Sequence, residues 1–444
     1  MSSPPETPNL RERVEALAVI SSCFLIVYNA ANRLAAARTS IGVAVWPWES
    51  SIPFLPWMIY PYWSLDLFFI GAPFVATTRE QLRNFVFQIC FATCVAGVCF
   101  VAFPLRLLYP PQHVSGMAGF LFNALYEMKD FYNLAPSLHI ANLVLVWTLY
   151  VPRLRGLPRH ALELWFTLIG VSTLFCWRHH VIDLITGFLL ALVTLHLFSR
   201  RLDISHVSVS LRRNANAKIG MYYLLGSFTF VALSALRPPG TLLLLWPACA
   251  VALVGIAYLG FGPQLLGKTD GRFPPWSFIL LFPYLVGARI SAWLQGRKLP
   301  ASIDVAPGVR IGRTISNDEA ERQLSEGVTA VLDVTAELNE PSAFRTVQYH
   351  SLPILDLTAP SPDQLQEAVS FIRSQAEHGT VFVHCALGRS RSAVVVAAYL
   401  MATAEEMVPR AALEKLSRVH THVVMKPEYL AALEAYSALL KRRE

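Results

Sequence analysis

The sequence predicts two architectures in one chain: a multi-span α-helical membrane domain of about eight helices, then a soluble α/β domain with a central sheet flanked by helices. Three observations carry this. Of 444 residues, 54% are hydrophobic and 15% charged, at a mean hydropathy of +0.44, which is the composition of a membrane protein. Up to about residue 262 the chain is a series of long apolar runs separated by short arginine-bearing loops. From about 300 onward no apolar run is long enough to cross a bilayer, and strand-like and helix-like segments alternate.

A hydrocarbon core needs roughly 20 apolar residues per helix. Runs that approach this lie at 14–31, 52–76, 84–105, 138–151, 162–177, 180–198, 219–236 and 240–261. The opening "MSSPPETPNLRERVE" is polar and Pro-rich, unlike a cleavable signal peptide. With the N-terminus inside, the inner loops hold Arg11, Arg13, Arg79, Arg83, Arg153, Arg155, Arg159, Arg200, Arg201, Arg212, Arg213 and Lys218. The outer loops hold Arg33, Arg38, Arg106, Lys129, Arg178 and Arg237. Positively charged loops stay inside, so this orientation is favoured, and an even number of spans returns the chain to the cytoplasm. The net charge of +7 is therefore a topology signal; no nucleic-acid partner is expected.

The segment 272–293 has a short apolar run, with Pro283 in the middle and Arg289 beyond it. It reads as a helix lying in the interface, with Trp276, Tyr284 and Trp293 at headgroup level. The alternative, a ninth span, would export the tail. The expected domains are thus a membrane domain over 1–262, an amphipathic linker over 263–299 and a soluble domain over 300–444. The expected location is a bacterial inner membrane, with the C-terminal domain cytoplasmic.

Of the seven cysteines, six fall in apolar stretches without metal or disulfide spacing. The seventh, Cys385, sits in "VFVHCALGRSRSAVV". "TVFVHC" reads as a buried strand and "RSAVVVAAYLMA" as a buried helix. The loop between them lies at a strand end and a helix N-terminus, where backbone N–H groups and the helix dipole favour an anion. Gly388 allows the tight turn, and Arg391 can grip two phosphate oxygens at once. The same field favours a thiolate at Cys385, so a phosphocysteine intermediate is expected.

His384, Cys385, Arg391 and Ser392, with five residues between the cysteine and the arginine, resemble the signature of the dual-specificity phosphatases of the protein tyrosine phosphatase superfamily. The resemblance covers about 300–444. It implies that Ser392 assists thiolate departure, that His384, Gly388 and Ser390 surround the phosphate, and that an aspartate on an earlier loop is the general acid. "SLPILDLTAP" supplies that aspartate in Asp356, followed by Pro360 and Pro362. Asp333, in "AVLDVTAE", is the alternative and reads as structural.

Two stretches of the membrane half also place polar groups at span starts. "LAPSLHIANL" carries Ser137 and His139, and "WRHHVIDLITG" carries Arg178, His179, His180 and Asp183. His179 and Asp183 are four apart, so on one helix face the carboxylate can hold one ring nitrogen and leave the other nucleophilic. Ionisable groups at membrane depth are functional candidates. Asp66 in "PYWSLDLFF" reads either as a site group or as a buried partner of a neighbouring helix.

Pro-Ser-x-His followed by His-x-x-x-Asp resembles the type 2 phosphatidic acid phosphatase superfamily, in particular its inositol phosphorylceramide synthase-like branch, over roughly 50–200. The resemblance implies His179 as a nucleophile forming phosphohistidine, Asp183 orienting it, His139 as acid for the leaving group and Ser137 binding phosphate. Where the superfamily has Lys and Arg in a first motif and a Ser-Arg pair before the nucleophile, this chain has Arg106 and Ser172-Thr173, and Arg178 can supply the charge. Neither mechanism requires a metal or cofactor.

The function expected is a membrane-bound phosphatase of phospholipid metabolism. A cytoplasmic cysteine site would hydrolyse a phosphate monoester, and a membrane site would hydrolyse or transfer a lipid phosphate headgroup. The partners are membrane lipid phosphates and the bilayer. The alternatives are a membrane-anchored phosphatase of phosphoproteins, or a non-enzymatic phosphate-binding regulator.

Overall fold

The structure is a computed structural model that describes residues 6–38, 41–127, 132–198, 215–404 and 407–441. Lys129, Arg200, Arg201, Arg212 and Arg213, used above to orient the loops, lie outside the described residues. The chain forms two compact units, residues 1–202 with 228–249 and residues 203–227 with 250–444.

The first unit is built of α1 (Leu10–Ala36), α2 (Ile59–Val75), α3 (Arg79–Ala102), α4 (Gly116–Glu127), α5 (Leu138–Tyr150), α6 (Leu157–Phe175) and α7 (Val181–Phe198). Side-chain caps fix several starts: Asn9 and Glu12 close a capping box on α1, and Thr78 and Ser137 cap α3 and α5. α1 packs on α3, α5 on α7, and α2 on α5 and α6. Leu25, Ile26, Leu67 and Phe228 are more than half exposed, a surface suited to lipid.

α8 (Ala215–Ser234) and α9 (Leu245–Ile256) each contain a boundary between the units, and α10 (Pro275–Gly296) belongs to the second. Among the described residues six helices are long and apolar enough to cross a membrane: α1, α3, α7, α8 over Asn216–Ser234, the stretch Gly240–Phe261 and α10. Of the eight runs read from the sequence, three form helices that are not among these six. The run at 52–76 begins with 3-10 turns at Pro47–Ser51 and Pro56–Met58, which leaves α2 only 17 residues. α5 has 13 residues, because Pro152 ends it. α6 opens on the polar "LPRHALE" and is not among the six. α4, short and with Glu127 as its last residue, was not foreseen. α10 runs unbroken through Pro283, longer than the short apolar run in the sequence implied.

The second unit carries a five-stranded sheet of β1 (Ser302–Ala306), β2 (Val309–Gly312), β3 (Val328–Thr335), β4 (Gln348–Ile354) and β5 (Thr380–His384). Their order is β1-β2-β5-β3-β4, with β1–β2 antiparallel and the rest parallel. β5 lies in the centre, and its near-continuous apolar sequence fits burial on both faces. α11 (Asn317–Ser325), α12 (Pro362–Ala376), α13 (Arg391–Thr403), α14 (Pro409–Val419) and α15 (Pro427–Lys441) cover the sheet. Val309, Ile311, Leu332, Val381 and Val383 meet Leu365, Val369 and Ile372 of α12 and Val394–Ala398 of α13 on one face. Phe344 and Phe382 pack on the other. Each fully buried aliphatic side chain contributes about 1.5–3 kcal/mol. The register sets Gly312, His384 and Asp333 side by side at the strands' C-terminal edge, where ligands of parallel sheets bind.

Residues 263–299, read as an amphipathic linker, bond to the phosphatase sheet. Lys268 is buried, and its Nζ donates to Asp333 Oδ2 (2.5 Å) and to Thr335 O and Oγ1 (2.9 and 2.8 Å). Glu340 N donates to Gly271 O at 2.9 Å.

Candidate active site

Between β5 and α13 the chain turns through Cys385–Ser390. Gly388 has φ +73°, and a Cβ there would lie 2.7 Å from Gly312 C and 2.8 Å from Gly312 O. Only glycine fits both the backbone and the gap. The turn aims Gly388 N–H at Cys385 Sγ (3.2 Å), and Ser392 Oγ donates to the same sulfur (3.2 Å). Burial pushes the Cys385 thiol up. The Arg391 guanidinium and the hydrogen bonds from Ser392 and the loop backbone outweigh it and hold the thiol below its ordinary value.

Arg391 is wholly buried and meets two carboxylates. Its Nη1 and Nη2 donate to Glu337 Oε2 (2.9 Å) and Oε1 (2.6 Å), a bidentate pair, while Nη1 also reaches Ile354 O at 2.8 Å. Nη2 lies 3.0 Å from Asp356 Oδ1, whose side chain is 46% exposed. Arg391 Nε has no partner among the described residues. The Nε edge, together with Nη2 once Asp356 moves away, is where an oxyanion fits. A cavity of about 370 Å³ opens here, lined by Cys385, Ser390, Arg391, Glu337 and Asp356 and walled by α10.

Residues 314–438 match the family described as dual specificity phosphatase, catalytic domain. Dual specificity protein phosphatase 12 of Rattus norvegicus is 31% identical over 144 residues, 31% of this chain and 42% of that protein. Phosphatidylglycerophosphatase and protein-tyrosine phosphatase 1 of Mus musculus is 35% identical over 92 residues, 20% of this chain and 47% of that protein. Among solved structures, Tk-PTP in its active form is 26% identical with a TM-score of 0.29, covering 31% of this chain and 98% of that one. The C-terminal domain is a phosphatase domain of the dual-specificity, protein-tyrosine type. The chain spans less than half the length of these two curated relatives.

Within the phosphatase domain the structure brings together Cys385, Gly388, Ser390, Arg391, Ser392 and Asp356 as the sequence led us to expect. His384 departs from expectation. It does not line the cavity but lies beneath it, with Nε2 at 3.1 Å from Glu340 Oε2 and 3.9 Å from Asp333 Oδ1. As the last residue of β5 its side chain points to the buried face opposite Cys385, because side chains alternate along a strand. Burial opposes its protonated form, but Glu340 and Asp333 prevail and raise its pKa to about 9. Asp333, the alternative acid, is buried against Lys268: burial works against its carboxylate, yet Lys268 and His384 hold its pKa well below the usual range. Ligand atoms of Asp333, Glu340 and His384 lie within 4.8 Å of one another, but the Lys268 ammonium already sits on Asp333 and balances the charge. Glu337, Glu340 and Lys268 were missed. The two glutamates stand in "AELNE" just past β3, at the same sheet edge as Cys385, which was the available signal.

The apolar unit assembles its own polar cluster. His179 Nε2 lies 3.2 Å from Ser137 Oγ, and Nδ1 lies 3.3 Å from Asp183 Oδ2. His179 is not on the helix face that the spacing suggested. It sits in the turn before α7, and Asp183 reaches back from the first turn, accepting also from His180 N at 2.8 Å. Trp177, at φ 54°, bends that turn, a conformation costing about 1–2 kcal/mol in a non-glycine residue. Ser137 comes close because α7 has glycine opposite: a Cβ on Gly187 would lie 2.4 Å from Ser137 O.

His139, stacked on Tyr62 at 4.3 Å between ring centroids, shares a cavity of about 250 Å³ with His179, Arg178, Asp66, Asn133 and Asn142. His139 Nε2 and Asn142 Oδ1 have no partner among the described residues. Arg106 lines a neighbouring cavity of about 390 Å³ that shares Arg178 with the first, so it does not reach the His139–His179 cavity. Its backbone explains this, since Arg106 N is tied to Gly42 O at 2.9 Å, away from α5. Glu49 was not foreseen: fully buried, it accepts from Val181 N at 2.9 Å and faces His180 Nδ1 at 3.5 Å. His180 Nε2 accepts from Leu108 N at 3.3 Å, so the ring proton sits on Nδ1, toward Glu49.

Proposed function

We propose that the chain hydrolyses a phosphate monoester carried by a membrane lipid, at Cys385. The observation that carries this reading is the wall of the cysteine cavity. Pro283, Tyr284, Gly287, Ala288, Ser291 and Ala292 of α10 face Cys385 and Arg391 across it, so the phosphate pocket opens onto an apolar helix. Because its C-terminal half is occupied in this way, α10 is better suited to lie along the bilayer surface than to cross it. The relative from Mus musculus is named as acting on phosphatidylglycerophosphate as well as on phosphotyrosine, which agrees with a lipid substrate.

The Cys385 thiolate attacks phosphorus; the P–S bond forms, the P–O bond to the alcohol breaks, and Asp356 gives its proton to the departing oxygen. Arg391 and the loop N–H groups hold the equatorial oxygens. Asp356, now a carboxylate, takes a proton from water as the water attacks phosphorus. The P–S bond breaks, inorganic phosphate leaves, and Ser392 stabilises the departing thiolate by donating a hydrogen bond to it while keeping its proton.

We propose a second site within the apolar unit. There His179, held by Asp183, attacks a lipid phosphate to give phosphohistidine; His139 protonates the leaving alcohol and Arg178 binds the phosphoryl group. Hydrolysis or transfer then depends on whether water or an alcohol accepts the phosphoryl group.

The full chain in lipid vesicles tests both sites. Cys385→Ser should abolish monoester hydrolysis while sparing activity at the histidine site, and His179→Ala should do the reverse. If both variants lose the same single activity, the two-site reading fails. Cys385-dependent turnover confined to phosphopeptides would instead favour an anchored protein phosphatase.

A further inference from the structure

Three tyrosines of the apolar helices converge on the phosphatase site from within the same compact unit. Tyr223 of α8 stacks on Tyr258 at 5.7 Å between ring centroids and meets Tyr284 of α10 edge-on at 6.0 Å. Tyr223 and Tyr284 line the Cys385 cavity. Tyr258, in the helical turn Ala257–Phe261 after α9, is buried and donates its hydroxyl to the backbone carbonyl of Asp356 at 2.9 Å.

The next residue, Leu357, is half exposed and has φ 60°, in the left-handed region that side chains avoid. The Asp356–Leu357 peptide is therefore held in a strained orientation, and the Tyr258 hydroxyl is bonded to its carbonyl. The Asp356 side chain, meanwhile, rests on Arg391 Nη2. A phosphate dianion arriving on Arg391 takes that contact over and releases the carboxyl group toward the leaving oxygen. Productive release requires the main chain to stay in place while the side chain turns.

We infer that Tyr258 is a positioning residue for Asp356, so that the apolar helical segment of the same compact unit completes the acid step of the phosphatase rather than serving as its anchor alone. This rests on the reading of Cys385 as nucleophile and Asp356 as acid. General-acid help matters for a poor leaving group such as an alkoxide and little for a good one such as 4-nitrophenolate. A misplaced acid therefore shows as a change in leaving-group selectivity, whereas general damage lowers both rates together.

The test compares octyl phosphate with 4-nitrophenyl phosphate on the full chain in detergent micelles, for wild type, Tyr258→Phe, Asp356→Asn and the double variant. Phenylalanine keeps the ring stack and removes only the hydroxyl. The ratio of kcat on octyl to 4-nitrophenyl phosphate should fall roughly tenfold in Tyr258→Phe, about 1.4 kcal/mol in the acid step, with KM for octyl phosphate little changed. It should fall further in Asp356→Asn, and the double variant should match Asp356→Asn, because a hydroxyl that acts through the carboxyl adds nothing once the carboxyl is gone. An unchanged ratio in Tyr258→Phe, equal losses on both substrates, or additive losses in the double variant would overturn the inference while leaving the Cys385 reading in place. A wild-type chain with no Cys385-dependent turnover would remove both.

Discussion

Replacing Ser392 by alanine perturbs the cysteine by one defined contact. The hydroxyl lies 3.2 Å from Cys385 Sγ, and the sulfur keeps Gly388 N–H at 3.2 Å and the Arg391 charge when it is gone. A hydrogen bond to a charged group contributes about 1.5–3 kcal/mol, and one pKa unit corresponds to about 1.36 kcal/mol. Taking the lower end, because sulfur is a diffuse acceptor, the thiol pKa should rise by about one unit. The assay is the rate at which iodoacetamide inactivates monoester hydrolysis by the full chain, followed across pH. Activity reports Cys385 alone, although six other cysteines are present. Wild type should show a midpoint below an ordinary thiol, and Ser392→Ala a midpoint about one unit higher. The variant should also release alcohol in a burst followed by slow turnover, because the same hydroxyl serves the departing thiolate. A midpoint unchanged within about 0.3 units would refute the assignment of the hydroxyl to the sulfur.

Further predictions concern the frame of the site. Gly388→Ala places a Cβ 2.7 Å from Gly312 C at a positive φ, and should cost about 1–3 kcal/mol locally and most of the turnover, measured as kcat and as protease sensitivity of the loop. Lys268→Met leaves Asp333 buried without its ammonium; breaking such a pair costs about 3–5 kcal/mol, so the phosphatase domain should lose thermal resistance to proteolysis while the apolar helices keep theirs. His384, with its pKa raised from 6.5 to about 9, contributes stability that is full below pH 6.5 and is lost as pH rises through 9. Protease protection of the domain should fall over that window, and His384→Asn should flatten the fall; an equally steep fall in the variant would contradict the ion-pair account.

The Cys385 site was legible because its parts are local. A strand, a six-residue loop and a helix start within one stretch fix the cysteine, the loop and the arginine, and glycine at the positive-φ position marks the turn. What the sequence hid was set by register and by chain crossings. Glu337 and Asp356 meet Arg391 only because β3 and β4 end at the same sheet edge as β5. His384 faces away from the phosphate because of strand alternation, a consequence that the motif alone did not convey. Lys268 and Tyr258 lie in stretches that read as linker and lipid-facing span, and only the fold shows them reaching the domain. In the apolar unit the histidine–aspartate contact was anticipated from four-residue spacing, but a pre-helical turn at Trp177 produces it instead. Two apolar runs form helices shorter than their length in the sequence, because 3-10 turns and Pro152 cut into them, which hydropathy does not register.

The central claim is that Cys385 works on lipid phosphate against an apolar helix. Its most direct measurement is inorganic phosphate released by the full chain from vesicles carrying phosphatidylglycerophosphate, set beside release from a phosphotyrosine peptide at equal concentration, in wild type and Cys385→Ser. The account predicts faster Cys385-dependent release from the vesicles. Release from the peptide alone, with none from the vesicles, would contradict it.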